Sequence, residues 1–209
     1  PEHTTAIEAK KTLLIKLNQS EDVLDDLKSK LDEDPDSLEK ILAYFNGLVQ
    51  FNQDTEAIRL IQQKLTPVKE LKTIPLEADA DEYKHEQDQI NLRASLMQLF
   101  ENRQMWGRAL AITNQMLEMF DEPPYYISFN KVEYLAEVGQ YEEAAKIIDE
   151  LDEKVNDKER IKVARAGLLC EEGKEEEALV IYESFDKGSR FYRNILHKKA
   201  DIKLTLGRI

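Results

Sequence analysis

The sequence predicts an all-α protein of stacked antiparallel helix pairs, and three observations carry that reading. One pattern is written twice, in LAEVGQYEEAAKIIDEL (residues 135–151) and LLCEEGKEEEALVIYESF (168–185), which align at a shift of 34 residues. A fixed period of this length marks an array in which no helix pair can bury its apolar stripe alone and stacking completes the core. Seven glycines and six prolines in 209 residues fall at intervals, as turns between helices would place them. Runs alternating apolar and polar residues with period two, the mark of strands, are scarce.

The repeat makes physical sense residue by residue. Val132, Leu135 and Val138, then Ala166 and Leu169, give the first helix of each pair an apolar stripe. Gly139 and Gly173 stand where the chain must reverse, and glycine accepts φ > 0 there without a Cβ clash. The acidic pairs Glu142-Glu143 and Glu176-Glu177 suit the first turn of the second helix, where the dipole favours negative charge. Ala144 and Ala178 are small enough to let that helix lie close against the first.

Projecting the period outward extends the pattern. The small residue before Ala144 is Ala109, 35 positions earlier, with Trp106 in the place of Tyr141 and an interhelix packing role expected of it. Glycine is missing from the preceding turn, where Asn102 and Gln104 stand, so this repeat reads as degenerate. Pro123-Pro124 closes it and opens the next helix. Ala57 lies 52 residues before Ala109, one period plus 18, and the surplus falls at Lys72–Gln89, predicted as an insertion that is part loop and part helix extension. Pro75 and its acids predict a loose loop over Lys72–Asp81. The predicted organisation is a single array over 1–209, with repeats at 4–37, 38–71, 90–124, 125–158 and 159–192. The insertion occupies 72–89, and 193–209 form a partial repeat or capping helix; Gly207 lies 34 residues after Gly173.

These residues resemble the tetratricopeptide repeat, most closely over 125–192. The resemblance implies a right-handed superhelix whose first helices line a concave, protein-binding groove. Departures exist: the family's large aromatic early in the first helix is replaced by Ile41, Arg93, Ser128 and Lys162, and other antiparallel helix-pair solenoids stay open as the alternative. Translating the family's groove-facing places gives Leu42, Asn46 and Val49, then Asn91, Ala94 and Gln98. The next repeats supply Tyr126, Phe129, Asn130 and Glu133, then Arg160, Val163 and Cys170, and the last helix Asn194 and His197. One subset of the family clamps the C-terminal carboxylate of heat-shock chaperones through a lysine, two asparagines, a lysine and an arginine. Those places hold Ala94, Gln98, Asn130, Arg160 and Ala164 here. Only Asn130 matches directly, so the resemblance does not extend to the clamp.

Charge and motif content bound the function further. The net charge of −13 argues against phosphate-backbone binding, which needs clustered Lys and Arg. From Lys187 onward there are seven basic residues and one acid, Asp201, so residues 1–186 carry −19. A groove partner is therefore expected to be a basic or neutral protein or peptide. No stretch is long and apolar enough to span a membrane, and a single cysteine, Cys170, leans towards the cytoplasm. The chain starts at Pro1 and reads as a fragment or processed form, so a missing signal segment carries no weight.

Phosphate loops, paired cysteines and His-Glu-x-x-His are absent from the sequence. His3, His85 and His197 lie far apart, and Cys170 with His197 one period on lacks an oxyanion hole on a helix surface. No cofactor, metal or catalysis is expected. Tyr126 and Phe129, three apart on one helix face with Arg160 a period away, read either as an aromatic-plus-cation anchor or as packing against the next repeat. The last helix, with Ile195, Leu196, Ile202 and Leu206, is a candidate for self-association. The predicted role is a protein-interaction or scaffold module. A peptide-sensing regulatory domain and a helical accessory domain of a larger enzyme stay open beside it.

Overall fold

The computed structural model describes residues 20–75 and 77–207, all in helices, turns and loops except for one isolated bridge. The first half of the predicted repeat at 4–37 lies outside the described residues. By compactness the chain divides into two units, one of residues up to Leu71 with Ala80–Leu99, the other of Lys72–Asp79 with Phe100 onward.

In the first unit a helical run over 20–33 (α1) is followed by α2 (Leu38–Gln50) and α3 (Asp54–Lys64), then by α4 (Lys84–Asn102), all but whose last turn belongs here. Ser37 caps α2 by accepting from the Lys40 backbone N–H. Gly47 of α2 lies close to α1: a Cβ there would stand 2.7 Å from Leu27 Cδ1, and the leucine would have to move aside. Phe45, Leu48, Ala57 and Ile61 close the α2–α3 pair, each 3% exposed or less. Arg93 of α4, 1% exposed, donates to Thr66 O at 2.7 Å and to Gln89 O and Oε1 at 3.2 and 3.1 Å. Gln89 in turn accepts from Thr66 N and donates to Lys64 O, so two side chains of α4 satisfy the backbone that leaves α3.

The second unit holds α5 (Trp106–Leu117), α6 (Tyr125–Glu137), α7 (Tyr141–Lys154), α8 (Lys158–Glu171), α9 (Glu175–Glu183) and α10 (Tyr192–Thr205). The first helix of each pair, α6, α8 and α10, begins at Tyr125, Lys158 and Tyr192, and Pro124 is the N-cap of α6. Trp106 packs as predicted, stacked on Tyr134 of α6 with ring centroids 6.0 Å apart. Ala57, Ala109, Ala144 and Ala178 are all fully buried, which is the close approach that the periodic small residue implied.

The predicted insertion behaves partly otherwise. Residues 72–75 and 77–81 form no helix, and α4 starts at Lys84. Yet Ile74 is buried and tied down, donating to Met119 O at 2.8 Å and accepting from Asp121 N at 3.1 Å. One apolar residue in register with the end of α5 docks a segment that otherwise carries Pro75 and several acids.

The helix-to-helix turns are more regular than the sequence. Gly139, Gly173 and Gly207 have φ of +78°, +74° and +65°, and the same left-handed backbone is held by Asn52 at +59° and Gln104 at +55°. At four of these turns the next residue donates to the carbonyl five positions back: Gln53 to Leu48, Met105 to Phe100, Gln140 to Leu135 and Lys174 to Leu169, at 2.7–2.8 Å. This is the Schellman closure of a helix. The repeat that is degenerate in sequence is thus intact in backbone, and Gln104 bears the Cβ strain that glycine avoids. Gln104→Gly is expected to stabilise the protein by roughly 0.5–1 kcal/mol, the strain relieved exceeding the entropy glycine adds to the unfolded chain. A urea midpoint at or below that of the unmodified protein would refute this.

Candidate binding groove

The first helices of successive pairs, α6, α8 and α10, line a concave groove of about 500 Å³ in the second unit, a volume in the range of ligand sites. Helical periodicity explains which residues face it. α6 offers Phe129, Val132, Glu133, Ala136 and Glu137; α8 offers Arg160, Val163, Ala164, Gly167, Leu168 and Glu171, the same 3–4 spacing. α10 adds Phe191, Asn194, Ile195 and Lys198, and Tyr182 of α9 reaches in from behind. The floor is apolar, and the charges stand along its walls.

Phe129, Glu133, Arg160, Val163 and Asn194 are thus brought together, and all five were expected in a groove from their register. The two readings left open for the aromatic pair part at Phe129 and Tyr126. Phe129 is 4% exposed and belongs to the core with Leu135, Ile148 and Leu151, and its ring lies beneath Arg160, whose guanidinium carbon is 4.4 Å from the centroid. Tyr126 is 48% exposed and lies outside the lining. The aromatic pair is therefore split, one ring in the core and one on the surface, because three residues along a helix turn the side chain by about 60°.

Of the remaining expected residues, Asn130 is half-buried on α6, and Cys170 and His197 are not part of the lining. Asn46, Asn91 and Gln98 belong to the first unit, where Asn46 and Gln98 are exposed and Asn91 is half-buried. Cys170 is hydrogen-bonded by Tyr182, and burial pushes its thiol up, the opposite of what activates a thiolate. His85 meets Thr66 Oγ1 at 3.4 Å in the first unit.

Register reasoning missed Glu137, Glu171, Gly167 and Lys198. A signal was present: Glu137 is one turn beyond Glu133, Glu171 lies 34 residues beyond Glu137, and Lys198 lies 34 beyond Ala164. Gly167 is the most telling of them. It sits inside α8, and a Cβ placed on it would meet nothing within 4 Å. Neither a turn nor a packing contact requires glycine there, so what its missing side chain leaves is room in the groove.

The groove carboxylates are crowded. Glu133 is exposed, but lost hydration in the concavity, with Glu101 and Glu137 nearby, raises its pKa against the opposing pull of Arg160 and Lys198. Burial and Glu171 raise that of Glu137, again opposed by Lys198. A carboxyl raised in the folded state binds protons more tightly than in the unfolded chain, so its contribution favours folding below the ordinary glutamate pKa. That contribution is lost as pH rises through the raised value. Glu133→Gln is accordingly expected to be more stable than the unmodified protein at pH 7, with the advantage shrinking as pH falls towards about 4. A pH-independent difference in melting temperature would contradict the assignment.

No protein-family model matches the chain, and no curated protein matches it. Two solved structures align with most of the chain. A tetratricopeptide repeat protein from Parabacteroides merdae is 16% identical with a TM-score of 0.47, over 90% of this chain and 68% of its own. A thermophilic tetratricopeptide repeat protein of Thermus thermophilus is 13% identical with a TM-score of 0.47, over 92% of this chain and 95% of its own. Among the described residues no helix is long and apolar enough to cross a membrane.

Proposed function

We propose that the α6–α8–α10 groove holds a segment of a partner protein, and that the chain is an interaction module without catalysis. The observation that carries this is the open notch at Gly167 in an apolar floor, walled by Glu133, Glu137 and Glu171 with Arg160 and Lys198. An apolar side chain of the partner fills the notch, and a lysine or arginine beside it meets the glutamate wall. Exposed ion pairs contribute only about 0–1 kcal/mol each, so the apolar anchor sets affinity while the charges set register and rate.

Random peptides displayed on phage and selected on the protein test this. Enriched sequences should pair a large apolar residue with a nearby Lys or Arg, and Gly167→Leu should weaken the best of them by roughly thirtyfold or more. The variant keeps its fold, because replacing a helix-interior glycine where space is open typically adds about 0.5–1 kcal/mol. Peptides that bind Gly167→Leu as well as the unmodified protein would place the binding surface elsewhere.

A further inference from the structure

The charges of the groove are left without partners and stand in order along it. Elsewhere in this unit carboxylates hold the cations: Asp149 and Asp152 hold Arg165 at 2.8 and 3.2 Å, Asp152 holds Lys158 and Glu172 holds Lys174, each at 2.7 Å. Among the described residues, Glu133, Glu137, Glu171, Arg160 and Lys198, the charged lining of the groove, form no ion pair. α6 and α8 run the same way, since Arg160 in the first turn of α8 lies over Phe129 in the second turn of α6, and Glu171 and Glu137 at their far ends repel each other. Arg160 thus marks the amino-terminal end of the groove and the two glutamates its carboxyl-terminal end. Glu133 and Lys198, of opposite sign, offset one another between them. Both poles oppose the helix dipole. It favours acids where Arg160 stands and cations where Glu137 and Glu171 close their helices, neither of which has a basic residue in its last turn. Helix stability therefore does not account for this order of charges.

The spacing follows from α8. Arg160 and Glu171 are roughly 16 Å apart along the helix axis, with the Gly167 notch about 10 Å from the first and about 6 Å from the second. A ligand helix of that length would occupy roughly 1,200 Å³ or more, against about 500 Å³ in the groove. An extended chain covers the same span in about five residues. We infer, resting on the groove reading above, that the partner segment is extended and carries charges of both signs about one apolar anchor. A large apolar residue fills the notch, an aspartate or glutamate about three residues to one side meets Arg160, and a lysine or arginine about two residues to the other side meets Glu137 and Glu171. A uniformly basic segment would set a cation against Arg160, and a uniformly acidic one would set carboxylates against the glutamates. Both poles stand on helices backed by the chain's own α7 and α9.

The probes are short fluorescent peptides with a central phenylalanine in a Gly-Ser background, one charge about three residues to one side and one about two residues to the other. Each is made with Asp and Lys, with two Lys, and with two Asp, in both chain directions. By fluorescence anisotropy with the full chain at low salt, the Asp and Lys form should bind tightest, and either like-charged form roughly tenfold more weakly. Placing Asp and Lys on the same side of the phenylalanine should weaken it similarly. Arg160→Glu should turn the preference to the two-Lys peptide, and Glu137→Lys with Glu171→Lys should turn it to the two-Asp peptide, with helix content by circular dichroism retained. Gly167→Leu should weaken every form. Tightest binding of the two-Lys peptide by the unmodified protein, or preferences that the charge reversals leave unmoved, overturns the inference. If Gly167→Leu still weakens those peptides, the groove reading survives it; if Gly167→Leu changes nothing, both fall. No measurable binding of any form also overturns the inference, and the phage selection then decides the groove separately.

Discussion

Phe129→Ala is expected to destabilise the protein by about 3–5 kcal/mol, the usual cost of emptying a buried phenylalanine site. The ring is 4% exposed and contacts the cluster that joins α6, α7 and α8, so the loss combines apolar transfer with a cavity that helices on several sides cannot collapse into. Arg160 would also lose the ring face it rests on, 4.4 Å from the centroid. Since domains are stable by only about 5–15 kcal/mol, a large share of the margin goes. In a chain of this size the melting temperature should fall by roughly 10 °C. Tyr126→Ala, three residues earlier and 48% exposed, should stay within about 0.5 kcal/mol of the unmodified protein. Thermal melts of the two single variants separate these roles; equal shifts would mean that the two rings are not divided between core and surface.

Arg93→Ala is also expected to be costly, roughly 2–4 kcal/mol, for a different reason. Its guanidinium is buried and serves the carbonyls of Thr66 and Gln89 together with the Gln89 amide oxygen. Removing it takes the side-chain donor from the Thr66 carbonyl, a loss of about 1–3 kcal/mol, and empties the buried space its stem fills, while Gln89 Oε1 keeps the Thr66 N–H. Arg93→Met should recover the packing of the stem but not the hydrogen bonds, and so fall between. Hydrogen exchange is the sharper measurement: protection should drop in α3 and α4 while that of α8 and α9 is retained. Protection lost evenly over the whole chain, or a variant as stable as the unmodified protein, would overturn this account of the residue.

The groove was legible in part, and the division follows chemistry. Phe129, Glu133, Arg160, Val163 and Asn194 were found because a helix repeats its faces about every 3.6 residues and the array repeats its helices every 34. Gly167 was not found, because a glycine in a helix looks like a weak position until its neighbours are known to leave space. The carboxylates of Glu137 and Glu171 were lost among 42 acids, most of which face solvent, and only packing shows which of them stand in a concavity.

What the sequence by itself determined is the period, the helix pairs and their junctions. These follow from local physics: the apolar stripe, the small alanine at each close approach, the dipole-matched acids, and glycine where φ must be positive. What the tertiary structure decided is everything that depends on which neighbour a side chain meets. Gln104 adopts the left-handed turn without being glycine because the helices on either side are already committed to their packing. Ile74 pins an acidic loop through two backbone hydrogen bonds that no local pattern announces. Arg93, which stands where the resembled family has an aromatic, is buried because the backbone at Thr66, 27 residues away in sequence, needs a donor there. Periodicity is written along the chain, whereas satisfaction of buried polar groups is settled between segments far apart in it, and only the assembled fold shows it.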